Sequence, residues 1–68
     1  MNRSVSVGEV VSFVMNTGVA SIGTVVDRIA ERRQPVILLI EQANGWRCFR
    51  FEDEVHEPDA ALLTATAV

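Results

Sequence analysis

Pro35-Val36-Ile37-Leu38-Leu39-Ile40-Glu41-Gln42-Ala43-Asn44-Gly45-Trp46-Arg47-Cys48-Phe49-Arg50-Phe51-Glu52-Asp53-Glu54 is the stretch whose reading decides the fold. Two runs rich in β-branched and aromatic residues flank Asn44-Gly45. Asn-Gly in that setting signals a hairpin, because a type I′ turn needs positive φ at both central residues. A two-residue loop at Asn44 and Gly45 predicts that Glu41 faces Cys48, Ile40 faces Phe49, Leu39 faces Arg50 and Leu38 faces Phe51. Side chains alternate along a strand, so this register places Leu38, Ile40, Phe49 and Phe51 on one apolar face. With Val25 they form the expected core. The opposite, mixed face then carries Ile37, Leu39, Glu41, Trp46, Cys48 and Arg50.

Working towards the N terminus, residues 30–34 (Ala-Glu-Arg-Arg-Gln) read as a polar connection, and Pro35 opens the strand that follows it. Before them, Ile22-Gly23-Thr24-Val25-Val26-Asp27 has strand composition. Ile22, Val25, Val26 and Ile29 also fall at helical spacing, and Ser21 is a candidate cap. The strand reading is preferred for residues 19–33, with a helix as the alternative. Asn16-Thr17-Gly18 is a turn signal. Residues 10–15 read as a strand with Val11, Phe13 and Met15 on one face. Val5 and Val7 alternate with serines, a short strand signal ahead of Gly8. Beyond the hairpin, Val55 is expected in a last strand or a 3₁₀ turn, and Pro58 ends regular structure. Residues 1–59 are expected to form one small domain and residues 60–68, apolar and uncharged, a tail or short helix.

The fold class expected is therefore all-β: a small barrel of about five antiparallel strands. The alternative is α+β, with two short helices and the hairpin. At 68 residues the chain buries only a modest core, a condition that favours self-association. A hydrophobic fraction of 49% excludes a disordered chain. One cysteine excludes an internal disulfide, and with a single histidine it argues against a structural zinc site. No cofactor and no metal are implied. The net charge is −3 and lysine is absent, which argues against a general nucleic-acid binder. No apolar run approaches the length of a membrane span. With no secretory signal pattern either, a cytoplasmic protein is the expectation.

The order Val-Gly-Glu-Val-Val, Ile-Gly-Thr-Val-Val-Asp, Pro-Val-Ile-Leu-Leu-Ile, Asn-Gly, Trp-Arg-Cys-Phe-Arg-Phe and Glu-Asp-Glu-Val resembles small SH3-like barrels. Within them it is similar to the electron-transport accessory group, which includes the small acceptor-side subunit of photosystem I and the variable chain of ferredoxin–thioredoxin reductase. Plasmid type II dihydrofolate reductase shares that barrel. The resemblance covers residues 7–55 and rests on Gly8, Gly23-Thr24-Val25, Pro35-Val36 and Glu52-Asp53-Glu54-Val55. It implies a fold and transfers no activity. The Val-Gln-Ile-Tyr pore segment of the reductase is missing here. An Sm-like ring that binds RNA and an antitoxin of the Phd/YefM type are further alternatives.

Candidate sites are few. His56 is the only histidine and reads as a solvated surface residue. Glu52, Asp53, Glu54, Glu57 and Asp59 form an acidic run, read first as a solvated edge and secondly as a contact for a basic partner or a divalent cation. Arg28, Arg32 and Arg33 cluster before Pro35, where an anion or an acidic partner is the sharper reading beside a plain polar loop. Cys48 lies mid-strand with no histidine base in sequence, so a catalytic thiolate is not expected. The functional expectation is a non-enzymatic binding or assembly module acting through protein–protein contacts. It is expected to self-associate as a two-fold dimer through Ile37, Leu39, Trp46, Cys48 and Arg50, with a protein partner as a further possibility and residues 60–68 folding back over the same patch within one chain as the alternative. The alternative from another class is an enzyme whose site forms only at an oligomer pore.

Overall fold

A computed structural model describes residues 4–58, and among these the architecture is all-β. Four strands, β1 (Val10–Val14), β2 (Ala20–Ile29), β3 (Ile37–Glu41) and β4 (Arg47–Phe51), form one antiparallel sheet in chain order. A 3₁₀ turn, Glu52–Glu54, follows β4. The expected fifth strand is reduced to a bridge in which Ser12 and His56 exchange backbone hydrogen bonds, each 2.9 Å. That bridge lies on β1, at the far edge of the sheet from β4, so the chain crosses the whole sheet to return to it. Among the described residues no helix is long and apolar enough to cross a membrane. The expected tail at residues 60–68 lies outside the described residues.

The stretch that reads as strand or helix is β2, ten residues long and shared. Its first half pairs with β1 and its second half with β3, and Thr24 has a partner on each side, Val10 and Glu41. Two devices bend the strand at this handover. A bulge between Val25 and Asp27 leaves Val26 unpaired, which increases local twist. Gly23 lies directly against the next strand. A Cβ there would fall 2.5 Å from Ile40 Cγ2 and 2.9 Å from the Glu41 carbonyl oxygen. The bend brings the two ends of the sheet together: the Arg50 guanidinium of β4 stacks over the Phe13 ring of β1 at 5.4 Å.

The inner face encloses Val5, Val11, Phe13, Val25, Leu38, Ile40 and Val55, with Met15, Val36 and Cys48 packed against them. Val25, Leu38 and Ile40 are buried as the strand pattern requires, and Val11 and Phe13 share the face read from the sequence. Phe49 and Phe51 are not in this core. They are 58% and 44% exposed. The hairpin register explains the correction. Glu41 pairs with Arg47, Ile40 with Cys48, Leu39 with Phe49, Leu38 with Arg50 and Ile37 with Phe51, one residue away from the two-residue-loop register.

The slip originates in the turn. The loop holds three residues, Ala43, Asn44 and Gly45, closed by Gln42 N–H donating to the Trp46 carbonyl at 2.7 Å. Gly45 has φ 88°, whereas Asn44 does not have positive φ. The type I′ geometry is therefore ruled out, and the turn is the three-residue form in which a left-handed glycine makes the bulge. Gly45 N–H donates to the Gln42 carbonyl at 2.9 Å, and the Asn44 side-chain oxygen accepts Trp46 N–H at 3.0 Å. Adding one residue to the loop inverts every side chain of β4 relative to β3.

Two outcomes check this arrangement by chemical denaturation. In solution dilute enough to keep the chain monomeric, Leu38→Ala should lose about 2–5 kcal/mol, while Phe49→Ala should lose under about 1 kcal/mol because it empties no core site. Gly23→Ala should cost about 1–3 kcal/mol or more, because its Cβ meets a β3 backbone oxygen that cannot rotate away.

Candidate interaction surface

The ladders of β2, β3 and β4 arrange the outer face in rows. Ile29, Ile37 and Phe51 align across the three strands, as do Asp27, Leu39 and Phe49, and then Thr24, Glu41 and Arg47. The first row is wholly apolar, the second is apolar except for Asp27, and the third is polar. Arg47 Nε donates to Glu41 Oε2 at 2.8 Å within that third row. Both side chains are well exposed, so this pair contributes at most about 1 kcal/mol. Phe49 and Phe51 each leave on the order of 100 Å² in water, given the 150–250 Å² that an aromatic side chain presents. Beside them runs a groove of about 130 Å³ lined by Ile37, Phe49, Arg50, Phe51 and Glu54.

The five side chains expected to form an interface from one outer face divide between two faces. Ile37 and Leu39 do point outwards. Cys48 and Arg50 lie on the inner face with Ile40 and Leu38, because of the one-residue slip. Cys48 is a half-buried free thiol against the core. Trp46 is 67% exposed at the hairpin end. The missed members are Phe49 and Phe51, and the signal for them was present: a Gly after Asn also fits a three-residue loop.

β4 is an edge strand, and its free edge is partly closed by side chains. The hydrogen bonds Gln42 N–H to Trp46 and Glu52 N–H to the Val36 carbonyl set the alternation of the ladder. Cys48 and Arg50 therefore face β3, and the backbone groups of Arg47, Phe49 and Phe51 face away. Of these, the Phe49 carbonyl accepts Arg50 Nη1 at 2.6 Å, and Phe51 N–H donates to Glu54 Oε1 at 2.8 Å. The Arg50 guanidinium also reaches the Val14 carbonyl and Asn16 Oδ1. Such capping discourages addition of a further strand.

The arginine cluster is also divided. Arg28 turns onto the inner face, where Nη2 contacts Glu52 Oε2 at 3.4 Å and Nε is buried without a hydrogen-bond partner among the described residues. Arg32 and Arg33 are exposed in the turn between β2 and β3, and Arg33 holds φ 65°. The acidic run divides likewise. Glu52 Oε2 accepts the backbone N–H of buried Val5 at 2.8 Å as well as Arg28, so this carboxylate pins the N-terminal segment over the core. Asp53 and Glu54 are exposed, and Asp59 lies outside the described residues. His56 is exposed and acts through its backbone, whose carbonyl also accepts the Ser12 hydroxyl at 3.4 Å. Among the described residues no group of three His, Cys, Asp or Glu side chains is placed to hold a metal ion.

Comparisons with protein-family models, with curated proteins and with solved structures found no match to this chain.

Glu52→Ala should cost about 1–3 kcal/mol, because it leaves the Val5 N–H without its acceptor. Amide hydrogen exchange at Val5 should accelerate more than exchange at Leu38, which is held within the sheet.

Proposed function

We propose that this chain is a non-enzymatic assembly module that self-associates through the outer face of β2, β3 and β4. The observation that carries this reading is the pair of neighbouring phenylalanines, Phe49 and Phe51, exposed beside Ile37 on an otherwise ordered sheet. A chain this small has few large apolar side chains, and leaving two of its three phenylalanines in water forgoes stabilisation unless a partner covers them. A two-fold dimer is the simplest closed assembly, since one surface then serves both partners. The partly capped edge of β4 supports pairing by faces over pairing by edges.

The strand order, the 3₁₀ turn and the return bridge onto β1 are consistent with a small SH3-like barrel, the finer form of the fold proposed for it. A single free thiol suits a reducing, cytoplasmic setting.

Sedimentation velocity tests the proposal. The full chain should sediment as a dimer at about 100 µM, a concentration that populates complexes of micromolar dissociation constant. Phe49→Ser should sediment as a monomer while keeping a cooperative thermal melt. A wild-type monomer at that concentration, or a dimer unaffected by Phe49→Ser, would overturn the reading.

A further inference from the structure

We infer that the second copy contributes Arg33, seated in the groove between Phe49, Phe51 and Glu54. This inference rests on the self-association proposed above and adds the contact that orients it. The groove is apolar along Ile37, Phe49 and Phe51 and has a carboxylate, Glu54, at one end. That combination suits an arginine, whose stem and planar guanidinium lie along aromatic surface while its N–H groups meet a carboxylate. The cation already at the groove, Arg50, is engaged by the Val14 and Phe49 carbonyls and by Asn16. It leaves Glu54 to another partner.

The same chain presents the matching group. The turn between β2 and β3 and the 3₁₀ turn after β4 lie at the same end of the sheet, on opposite sides of it. The first exposes Arg32 and Arg33, and the second exposes Asp53 and Glu54. Between them lies the apolar row Ile29, Ile37 and Phe51. A two-fold axis along the strands, near β3, places β2 of one copy over β4 of the other. The basic turn of each then meets the acidic turn of its partner twice over, with the apolar row buried between. Arg33 is taken as the seated residue, and Arg32 serves as its control. Arg33 holds φ 65° as the third residue of a turn closed by Gln34 N–H donating to the Glu31 carbonyl at 3.2 Å. Glycine occupies that conformation at lower cost, so Arg33→Gly is a substitution the fold accepts.

The test uses the full-length chain and sedimentation equilibrium. Arg33→Gly suits the left-handed backbone, so in solution dilute enough to keep both proteins monomeric the fold should melt no lower than wild type, while the dimer should weaken by about tenfold or more. Glu54→Gln keeps an oxygen for the Phe51 N–H and removes the charge, and it should weaken the dimer to a similar degree. The double variant should be about as weak as either single one, the non-additivity expected of residues in contact. Arg32→Gln removes the same charge from the same turn and should weaken the dimer by less than about threefold.

A wild-type dimer that survives Arg33→Gly would overturn this contact and leave self-association standing. Additive losses in the double variant, or equal losses from Arg32→Gln and Arg33→Gly, would also overturn it, since they indicate bulk charge in place of a seated side chain. A monomeric wild type overturns both readings together.

Discussion

The backbone at Gly45 determines which side of β4 meets the core. With φ at 88° on Gly45 alone, the hairpin loop takes three residues, and Cys48 then lies opposite Ile40. Side chains in a strand have a period of two, so no intermediate register exists. A two-residue loop would have placed Phe49 and Phe51 inside and Cys48 and Arg50 outside. The closed form instead places a small thiol and an arginine inside, and each has a local use. Cys48 packs against the core, and Arg50 stacks on Phe13 and binds the end of β1. Two consequences follow from the same turn: the sheet is tied across its open side, and its outer face becomes aromatic.

The second constraint is the bend in β2. One ten-residue strand serves both β1 and β3, which is possible because Gly23 has no Cβ to meet Ile40 and Glu41 and because Val26 is excluded from the ladder. Among the described residues seven buried apolar side chains make a small core, and polar clips supplement it. Glu52 holds both Val5 and Arg28, and the Ser12–His56 bridge holds the return segment on β1. Both clips join points far apart in sequence that the curl of the sheet brings together.

The surface follows from these two constraints. Aliphatic side chains on β2 and β3 line up with the phenylalanines of β4, and the rim carries opposite charges on its two sides. The β4 edge, the usual hazard of such a sheet, spends its outward carbonyl at Phe49 and its outward N–H at Phe51 on side chains of the same chain.

Much of the fold was legible in the chain itself. The alternation in Val11 and Phe13, and in Leu38 and Ile40, identified strands and their inward residues, because local periodicity and burial report the same property. The β-branched run of β2 outweighed its helical spacing. The absence of lysine and of gathered histidine and cysteine residues also removed whole classes of chemistry from the expectation. Composition could not count the residues in the hairpin loop. Asn44-Gly45 satisfies two turn geometries that differ by one residue, and the one observed comes with contacts that β4 makes far away in sequence, with Phe13, Val14 and Asn16. Nor could spacing separate Glu52, bound to Val5 forty-seven positions away, from Asp53 and Glu54 beside it. Strand identity is a local property of the chain. The face that β4 turns inward, and so which aromatic side chains are left exposed, goes with the curled sheet, since only there does an arginine on one edge strand find an aromatic ring on the other.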